Sequence, residues 1–353
     1  MDTIERKIGA VVQRAIGERV FPGCSLAYIK DGVRAELPFG ALTYDKGAPA
    51  VARETIYDVA SVTKAIPTAS LLLSSIDEGK ASVDDRVADH LPEFARGPGK
   101  HEVRLRHLLT YTLDLRIGAL SGFKDLPPEA IFAAILTAPL GAAPGTKFSY
   151  ANATAVIMGL VAERIGGRPL PELAEERFFG PLGMARTGFA PKRFGADAIA
   201  PSEVDPWRGG EVRGVVHDES AHAMALLRSV GSAGLFSTAP DLLDFMEMLL
   251  ARGMRGGRRY FSEEAVAAMV TDQIPGTGEH TGLGWELDQP RFMGNADPAR
   301  TFGKTGFTGC SVAANLSRGS ALVLLSNCIY PHRQERAAIN GVRAALADIV
   351  FGS

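Results

Sequence analysis

Near the start of the chain, Ile4, Ile8, Val11, Val12, Ala15 and Ile16 fall on one face at helical spacing, and this pattern predicts a helix over 4–16. From Cys24 to Lys30 the pattern alternates instead; Asp31-Gly32 then supplies a tight hairpin turn into a second strand, Val33–Phe39. The other end repeats the theme: Gly309–Asn315 and Ala321–Asn327 read as strands across the turn Ser317–Ser320. A closing helix follows, with Ala337, Ile339, Val342, Leu346 and Ile349 on one face and a stop at Gly352. Between the ends, over about 79–235, helical patterns alternate with Gly/Pro-rich loops, and the clearest helix is Ala153–Arg164, ended by Gly166-Gly167. Thr238-Ala-Pro-Asp241 has the form of a capping box ahead of Leu242–Leu250. Neither end has enough strands for a stable sheet of its own, so the two are expected to pair. The predicted fold class is α+β: an antiparallel sheet flanked by the terminal helices, with an inserted, mostly helical lobe. The expected units are 1–78 with 236–353, and 79–235.

Composition narrows the partners more than the fold. With 46% hydrophobic and 22% charged residues the chain is an ordinary globular sequence. Thirty-eight Lys and Arg against 40 Asp and Glu leave a formal charge of −2, and no basic stripe points to nucleic acid. Uncharged stretches such as 130–146 are broken by Pro139, Gly141, Pro144 and Gly145, so no membrane span is expected. The mixed charge at the start resembles no secretory leader, and a cytoplasmic location is expected. Cys24, Cys310 and Cys328 are an odd number without a close pair and read as small buried hydrophobes. Neither a metal nor a cofactor is expected, and the oligomeric state is left open.

Candidate chemistry starts at Asp58-Val-Ala-Ser61-Val-Thr-Lys64. Ser61 reads as the first residue of a helix reaching about Glu78, with a kink at Pro67. Three residues apart on a helix, the Lys64 amine can reach the Ser61 hydroxyl. A serine becomes a nucleophile near neutrality only with a base in hydrogen-bond reach, and a lysine serves only where its ammonium form is disfavoured. A second Ser-x-x-Lys, Ser121-Gly-Phe-Lys124, lies among loop residues and reads as a loop. His217-Asp-Glu-Ser-Ala-His222 concentrates metal-binding residue types, but histidines five apart share no helix face, and a polar loop with His217 near a cleft is the better reading. Gly303-Lys304-Thr305 looks like the tail of a phosphate loop, yet a strand-like run follows where such a loop needs a helix. Two further groups stand out: Tyr150-Ala-Asn152 at the entry to a helix, and Lys304-Thr305-Gly306 just before a strand from Phe307. The three motifs follow one another 89 and then 154 residues apart.

In that order, Ser-x-x-Lys, Tyr-x-Asn and Lys-Thr-Gly resemble the serine β-lactamase and penicillin-binding-protein superfamily. The similarity is to its class C β-lactamase-like branch, which includes family VIII carboxylesterases and D-amino-acid peptidases. Leu108-Leu-Thr110, Gly234-Leu-Phe-Ser-Thr238, Gly282-Leu-Gly-Trp285 and Gly306-Phe-Thr-Gly309 extend it over most of the chain. The resemblance implies a β-lactamase/transpeptidase-like fold with a cleft between two lobes, and a role for each motif residue. Ser61 would be acylated, Lys64 and Tyr150 would carry protons, and Asn152 would hold Lys64 and the substrate. The backbone N–H groups of Ser61 and Phe307 would form the oxyanion hole. Gly306 would let the substrate approach closely. Lys304 would keep the site positive, which would help lower the Lys64 pKa and favour substrates bearing a carboxylate, and Thr305 would join the substrate-binding group. Where relatives often carry His within Leu-Leu-Thr-His-Thr-Ser-Gly, this chain has Tyr111, expected to reshape the cleft wall without touching the chemistry. The expected activity is that of a serine hydrolase on small esters. Alternatives are a β-lactamase, D-amino-acid peptidase or amidase, an acyltransferase, and a non-catalytic receptor of the same fold. The expected partner is a small-molecule ester, amide or lactam.

Overall fold

A computed structural model describes residues 3–295 and 301–352. The elements that place the site are strands β1 (Gly23–Lys30), β2 (Val33–Gly40), β3 (Glu286–Leu287), β4 (Thr301–Thr305), β5 (Ser311–Asn315) and β6 (Ser320–Ser326). Helices α1 (Thr3–Gly17), α2 (Ser70–Asp77), α3 (Asn152–Gly166), α4 (Ala239–Leu250) and α5 (Arg336–Phe351) accompany them. The six strands form one sheet in the order β2-β1-β6-β5-β4-β3, every pair antiparallel. Strands from the two ends of the chain therefore meet at β1–β6, with Leu26 opposite Leu324 and Ala27 opposite Val323.

Side-chain alternation in these strands sorts two cores. Leu26, Tyr28, Leu322 and Leu324 pack with Ile8 and Val12 of α1 and Leu346 and Val350 of α5. Their neighbours Ala27, Ile29, Val323 and Leu325 turn to the opposite face and join the cluster that contains Leu242, Phe245 and Met246 of α4. Both faces of the sheet are thus covered, which is why β1 and β6 are buried over nearly their whole length. The Thr238 hydroxyl accepts from the Asp241 N–H at the start of α4, as the capping pattern requires. Cys24, Cys310 and Cys328 are buried and unbridged.

Residues between α2 and α4 are largely helical, and α3 is their axis: its sides are apolar nearly all round, and ten of its 15 residues are buried. A two-stranded ladder, Tyr57–Asp58 with Phe236–Ser237, joins the segment before Ser61 to the segment before α4. Among the described residues no helix is long and apolar enough to cross a membrane.

Candidate active site

Ser61 does not head a long α-helix. It is the second residue of a single 3-10 turn, Ala60–Lys64. The helical path then breaks at Ile66 (φ −116°, ψ 109°) before α2 begins at Ser70. The break lies one residue ahead of Pro67 because a residue preceding proline is driven out of the α region. In a 3-10 turn residues i and i+3 eclipse one another, which suits the pair well. The Lys64 Nζ lies 2.8 Å from the Ser61 Oγ. Ala60, just before the serine, sits at φ +46°, a backbone state that costs an L-residue of order 1–3 kcal/mol. Its neighbours hold it there. The Asp58 carboxylate accepts from the Ala60 N–H (2.8 Å) and the His217 N–H (2.7 Å), and the Thr63 hydroxyl donates to the Ala60 carbonyl (2.6 Å).

Lys64 is fully buried, and its second hydrogen bond goes to the Ser232 carbonyl at 2.6 Å. No carboxylate pairs with it directly among the described residues. Burial pushes its ammonium pKa down, and Lys304 adds to this, against the opposing pull of Tyr150 and Asp218. Tyr150 keeps 43% of its surface open to the cleft. The Lys304 and Lys64 ammonium groups lie 4.3 and 5.5 Å from its ring centroid. The desolvation that would raise its phenol is outweighed by these two charges, so its pKa lies below the ordinary tyrosine value.

Four expectations need correction. Lys304 is not a bare cation facing the cleft: it is 1% exposed and bonded to Glu286 at 2.7 Å. Desolvation works against its charge, but Glu286 holds its pKa above the usual lysine value. Arg291 closes the other oxygen of Glu286 at 2.5 Å. Asn152 does not hold Lys64; its amide donates to Asp218 at 2.9 Å, while Lys64 donates to the Ser61 hydroxyl and the Ser232 carbonyl and hydrogen-bonds with Tyr150. Tyr111 is not remote from the chemistry. Its ring centroid is 5.0 Å from that of Tyr150 and 4.9 Å from the Lys304 Nζ, and its own φ is +53°. Finally, Lys304 and Thr305 end strand β4 rather than precede a strand, and residues 306–309 turn into β5 with the Gly306 N–H donating to the Cys310 carbonyl (2.7 Å).

That turn explains Gly306. A Cβ there would lie 2.4 Å from the Val59 carbonyl oxygen, so the glycine lets the turn press against the segment carrying Ser61. Thr305 pairs in register with Ser311 at the end of β4. Phe307 follows, and among the described residues its backbone N–H has no protein acceptor. Arg343 of α5 fixes the turn from behind, donating to the Gly306 (3.0 Å) and Cys310 (2.9 Å) carbonyls.

These pieces meet at a cleft of about 550 Å³ lined by Ser61, Tyr150, Asn152, His217 and Phe307, with Leu115, Ile117 and Leu120 opposite. Lys64 and Lys304 lie beneath its surface. His217 lines the cleft as a buried ring, stacked on Phe307 at 5.6 Å with its Nε2 2.6 Å from Glu203. Sequence reasoning missed Glu286, Asp218 and the Ser232 carbonyl, and placed Tyr111 too far from the chemistry. Glu286 directly follows the quoted Gly282-Leu-Gly-Trp285, and Asp218 lies inside the polar segment 217–222, so both stood next to visible signals. Ser232 had none.

A strained turn that presents a serine to a buried lysine, with a tyrosine between two ammonium groups, is accompanied by similarity along the chain. The family model described as Beta-lactamase matches residues 5–347. An Escherichia coli O157:H7 protein named as a D-alanyl-D-alanine carboxypeptidase is 30% identical over 350 residues, 87% of this chain and 78% of that protein. A protein of the same name from Escherichia coli K12 is 31% identical over 77% of this chain and 69% of its own length. Among solved structures, EstCE1, a hydrolase with promiscuous acyltransferase activity, superposes with a TM-score of 0.79 at 22% identity, covering 99% of this chain and 98% of that one. An octameric penicillin-binding protein homologue from Pyrococcus abyssi gives 0.74 at 24% identity, covering 97% and 77%. Both have the β-lactamase/transpeptidase fold seen here. By sequence and by fold, this chain belongs to the beta-lactamase family of serine hydrolases.

Proposed function

We propose that the protein hydrolyses small carboxylic esters through an acyl-enzyme at Ser61. The observation that carries this reading is the 2.8 Å contact between the Ser61 Oγ and a Lys64 amine that burial disposes to be neutral. Lys64 accepts the hydroxyl proton as Oγ attacks the ester carbonyl carbon. The oxyanion so formed receives hydrogen bonds from the backbone N–H groups of Ser61 and Phe307, the kind of stabilisation whose loss costs about 100–1000-fold in rate. Tyr150, in electrostatic contact with Lys64, passes the proton to the departing alkoxide, and the ester C–O bond breaks. Water, deprotonated through Tyr150, then attacks the acyl carbon and restores the Ser61 hydroxyl. Asn152 contributes from the cleft wall as a substrate ligand, held by Asp218. Lys304, Thr305 and Gly306 act from below the cleft, as electrostatic support and as the hinge that brings Phe307 to Ser61.

The ester reading is favoured over a carboxylate-bearing peptide or lactam because Glu286 already neutralises Lys304. The identity of about 30% to proteins named as D-alanyl-D-alanine carboxypeptidases favours the second reading, amide or lactam hydrolysis by the same residues. Acyl transfer to an alcohol or amine would use the same intermediate with water excluded. Division into a sheet unit (1–78 with 236–353) and an inserted helical unit (79–235) is part of the proposal, supported by the pairing of β1 with β6. Intact-mass measurement after mixing with p-nitrophenyl acetate is expected to show one added acetyl group, located on Ser61 by peptide mapping. The ester should also turn over faster than a chromogenic cephalosporin or a D-alanyl-D-alanine peptide. An adduct with the cephalosporin and none with the ester would replace the first reading by the second.

Lys304→Met tests the electrostatics. Of the groups facing Tyr150, Lys304 and Lys64 lower its pKa and Glu286 raises it, while Lys304 also lowers that of Lys64. Removing the Lys304 charge therefore raises both, and the base is protonated up to a higher pH. The acid limb of kcat/KM is expected to move to higher pH, since that limb reports the free enzyme's essential base. Glu286 keeps Arg291 as a partner, so the variant leaves no buried carboxylate alone. A limb that stays in place, or moves to lower pH, contradicts the assignment.

A further inference from the structure

Two sequence features have no part in this chemistry, Ser121-Gly-Phe-Lys124 and His222, and the structure brings both to one exposed aromatic ring. Ser121 lines the cleft together with Leu115, Ile117 and Leu120, but Lys124 turns away from it, its Nζ 4.6 Å from the Trp207 ring centroid. The next residue, Asp125, accepts from the Trp207 indole N–H at 2.9 Å. His222 meets the same ring edge-on at 6.2 Å.

The apolar side of the wall that carries these contacts is fixed by packing: Leu120 is buried in the main core, Phe123 packs against it, and Leu115 and Arg116 are bridged to residues 139–140. From 118 to 126 the backbone hydrogen bonds are short-range, each reaching three residues back: Gly122 to Ala119, Lys124 to Ser121 and Leu126 to Phe123. These backbone bonds stay within the segment, so among the described residues the polar contacts that tie its 124–125 end to the rest of the protein are those of Lys124 and Asp125 with Trp207. Trp207, in contrast, is anchored. It lies in the 3-10 turn Pro206–Arg208, its N–H donating to the Asp205 carboxylate at 2.9 Å. Its neighbour Arg208 donates to the Val216 carbonyl at 2.6 Å and to that of His217. The His217 N–H in turn donates to Asp58, the residue that holds the strained turn before Ser61. A continuous line of polar contacts thus runs from the serine turn through Asp58, His217, Arg208 and Trp207 to the far wall of the cleft.

We propose that Trp207 is a specificity-determining positioning residue: by holding Lys124 and Asp125 it sets how far the 118–121 part of the wall stands from Ser61, and so limits the size of substrate group the cleft accepts. Trp207 touches neither Ser61 nor the base, so it acts on fit rather than on the acylation step. The inference rests on the ester reading for its kinetic consequence but not for its structural one.

Two measurements on the full chain separate these. Hydrogen exchange of Trp207→Ala is expected to accelerate in 118–126 while α3 and the sheet remain protected as in wild type. Exchange in 118–126 that is unchanged overturns the proposal whatever the kinetics. In the second, p-nitrophenyl esters from acetate to octanoate are compared. The octanoate-to-acetate ratio of kcat/KM should rise by about tenfold in Trp207→Ala, the scale of a change in a packed substrate pocket. Acetate kcat should stay within about twofold. Trp207→Phe, which keeps a ring for Lys124 but loses the indole N–H, should fall between. A uniform loss over all chain lengths, or an unaltered ratio, overturns the specificity role. A wild-type protein inactive on every ester removes the ester reading and, with it, the kinetic form of the inference, while the exchange result still decides whether Trp207 holds the wall.

Discussion

Ser61→Ala is expected to lower ester turnover by about 10⁴-fold or more, the scale seen when a catalytic serine is removed from an enzyme that retains its oxyanion hole. Two other serines lie near the cleft or the base, and neither is placed to take its role. Ser121, the serine of the second Ser-x-x-Lys, opens onto the same cleft, but its lysine lies over Trp207 and gives it no base. Ser232 presents its carbonyl to Lys64. Ser121→Ala should therefore retain turnover within about twofold of wild type, since no general base is lost. Ser61 is only partly buried, so the alanine variant should melt close to wild type, within about 0.5 kcal/mol. The measurement is initial rates on p-nitrophenyl acetate alongside thermal melts. Turnover above a hundredth of wild type in Ser61→Ala would end the acyl-enzyme assignment.

Lys64→Met should separate activity from stability more sharply. The amine is the general base, and removing such a group costs about 10²–10⁴-fold. Stability should move the other way or not at all. Lys64 is fully buried and has no direct carboxylate partner among the described residues, so the folded state bears the cost of desolvating whatever charge it carries. Methionine has a similar length without that cost; of the two groups that lose a donor, the partly exposed Ser61 hydroxyl can turn to solvent and the buried Ser232 carbonyl is left short. An equal or higher melting temperature together with at least a hundredfold slower acylation is the expected result. A variant that melts far below wild type would show that Lys64 supports the fold. One that keeps more than a tenth of the rate would show that Tyr150 alone serves as base.

Local spacing carried most of what the amino-acid order determined about this protein. The 3.6-residue pattern placed the terminal helices and α3 to within a few residues, and the Asp31-Gly32 turn placed the first hairpin. The Ser61–Lys64 contact was legible for the same reason: residues three apart meet on any helical turn, whether α or 3-10, so the helix type that was mistaken did not matter. Pro67 likewise announced the break at Ile66.

Contacts between distant residues were another matter. The pairing of Lys304 with Glu286 depends on β4 lying beside β3, and that of Asn152 with Asp218 depends on where the segment before residue 219 crosses the start of α3. Tyr111 stands against Tyr150 because of a left-handed backbone at its own position, and no pattern of apolar residues reports that. Spacing along the chain fixes neighbours only within a turn or a hairpin. Which charge neutralises which, and hence whether the cleft faces its substrate with a free lysine or a buried ion pair, follows from the order in which strands pack, and only the tertiary structure decided it.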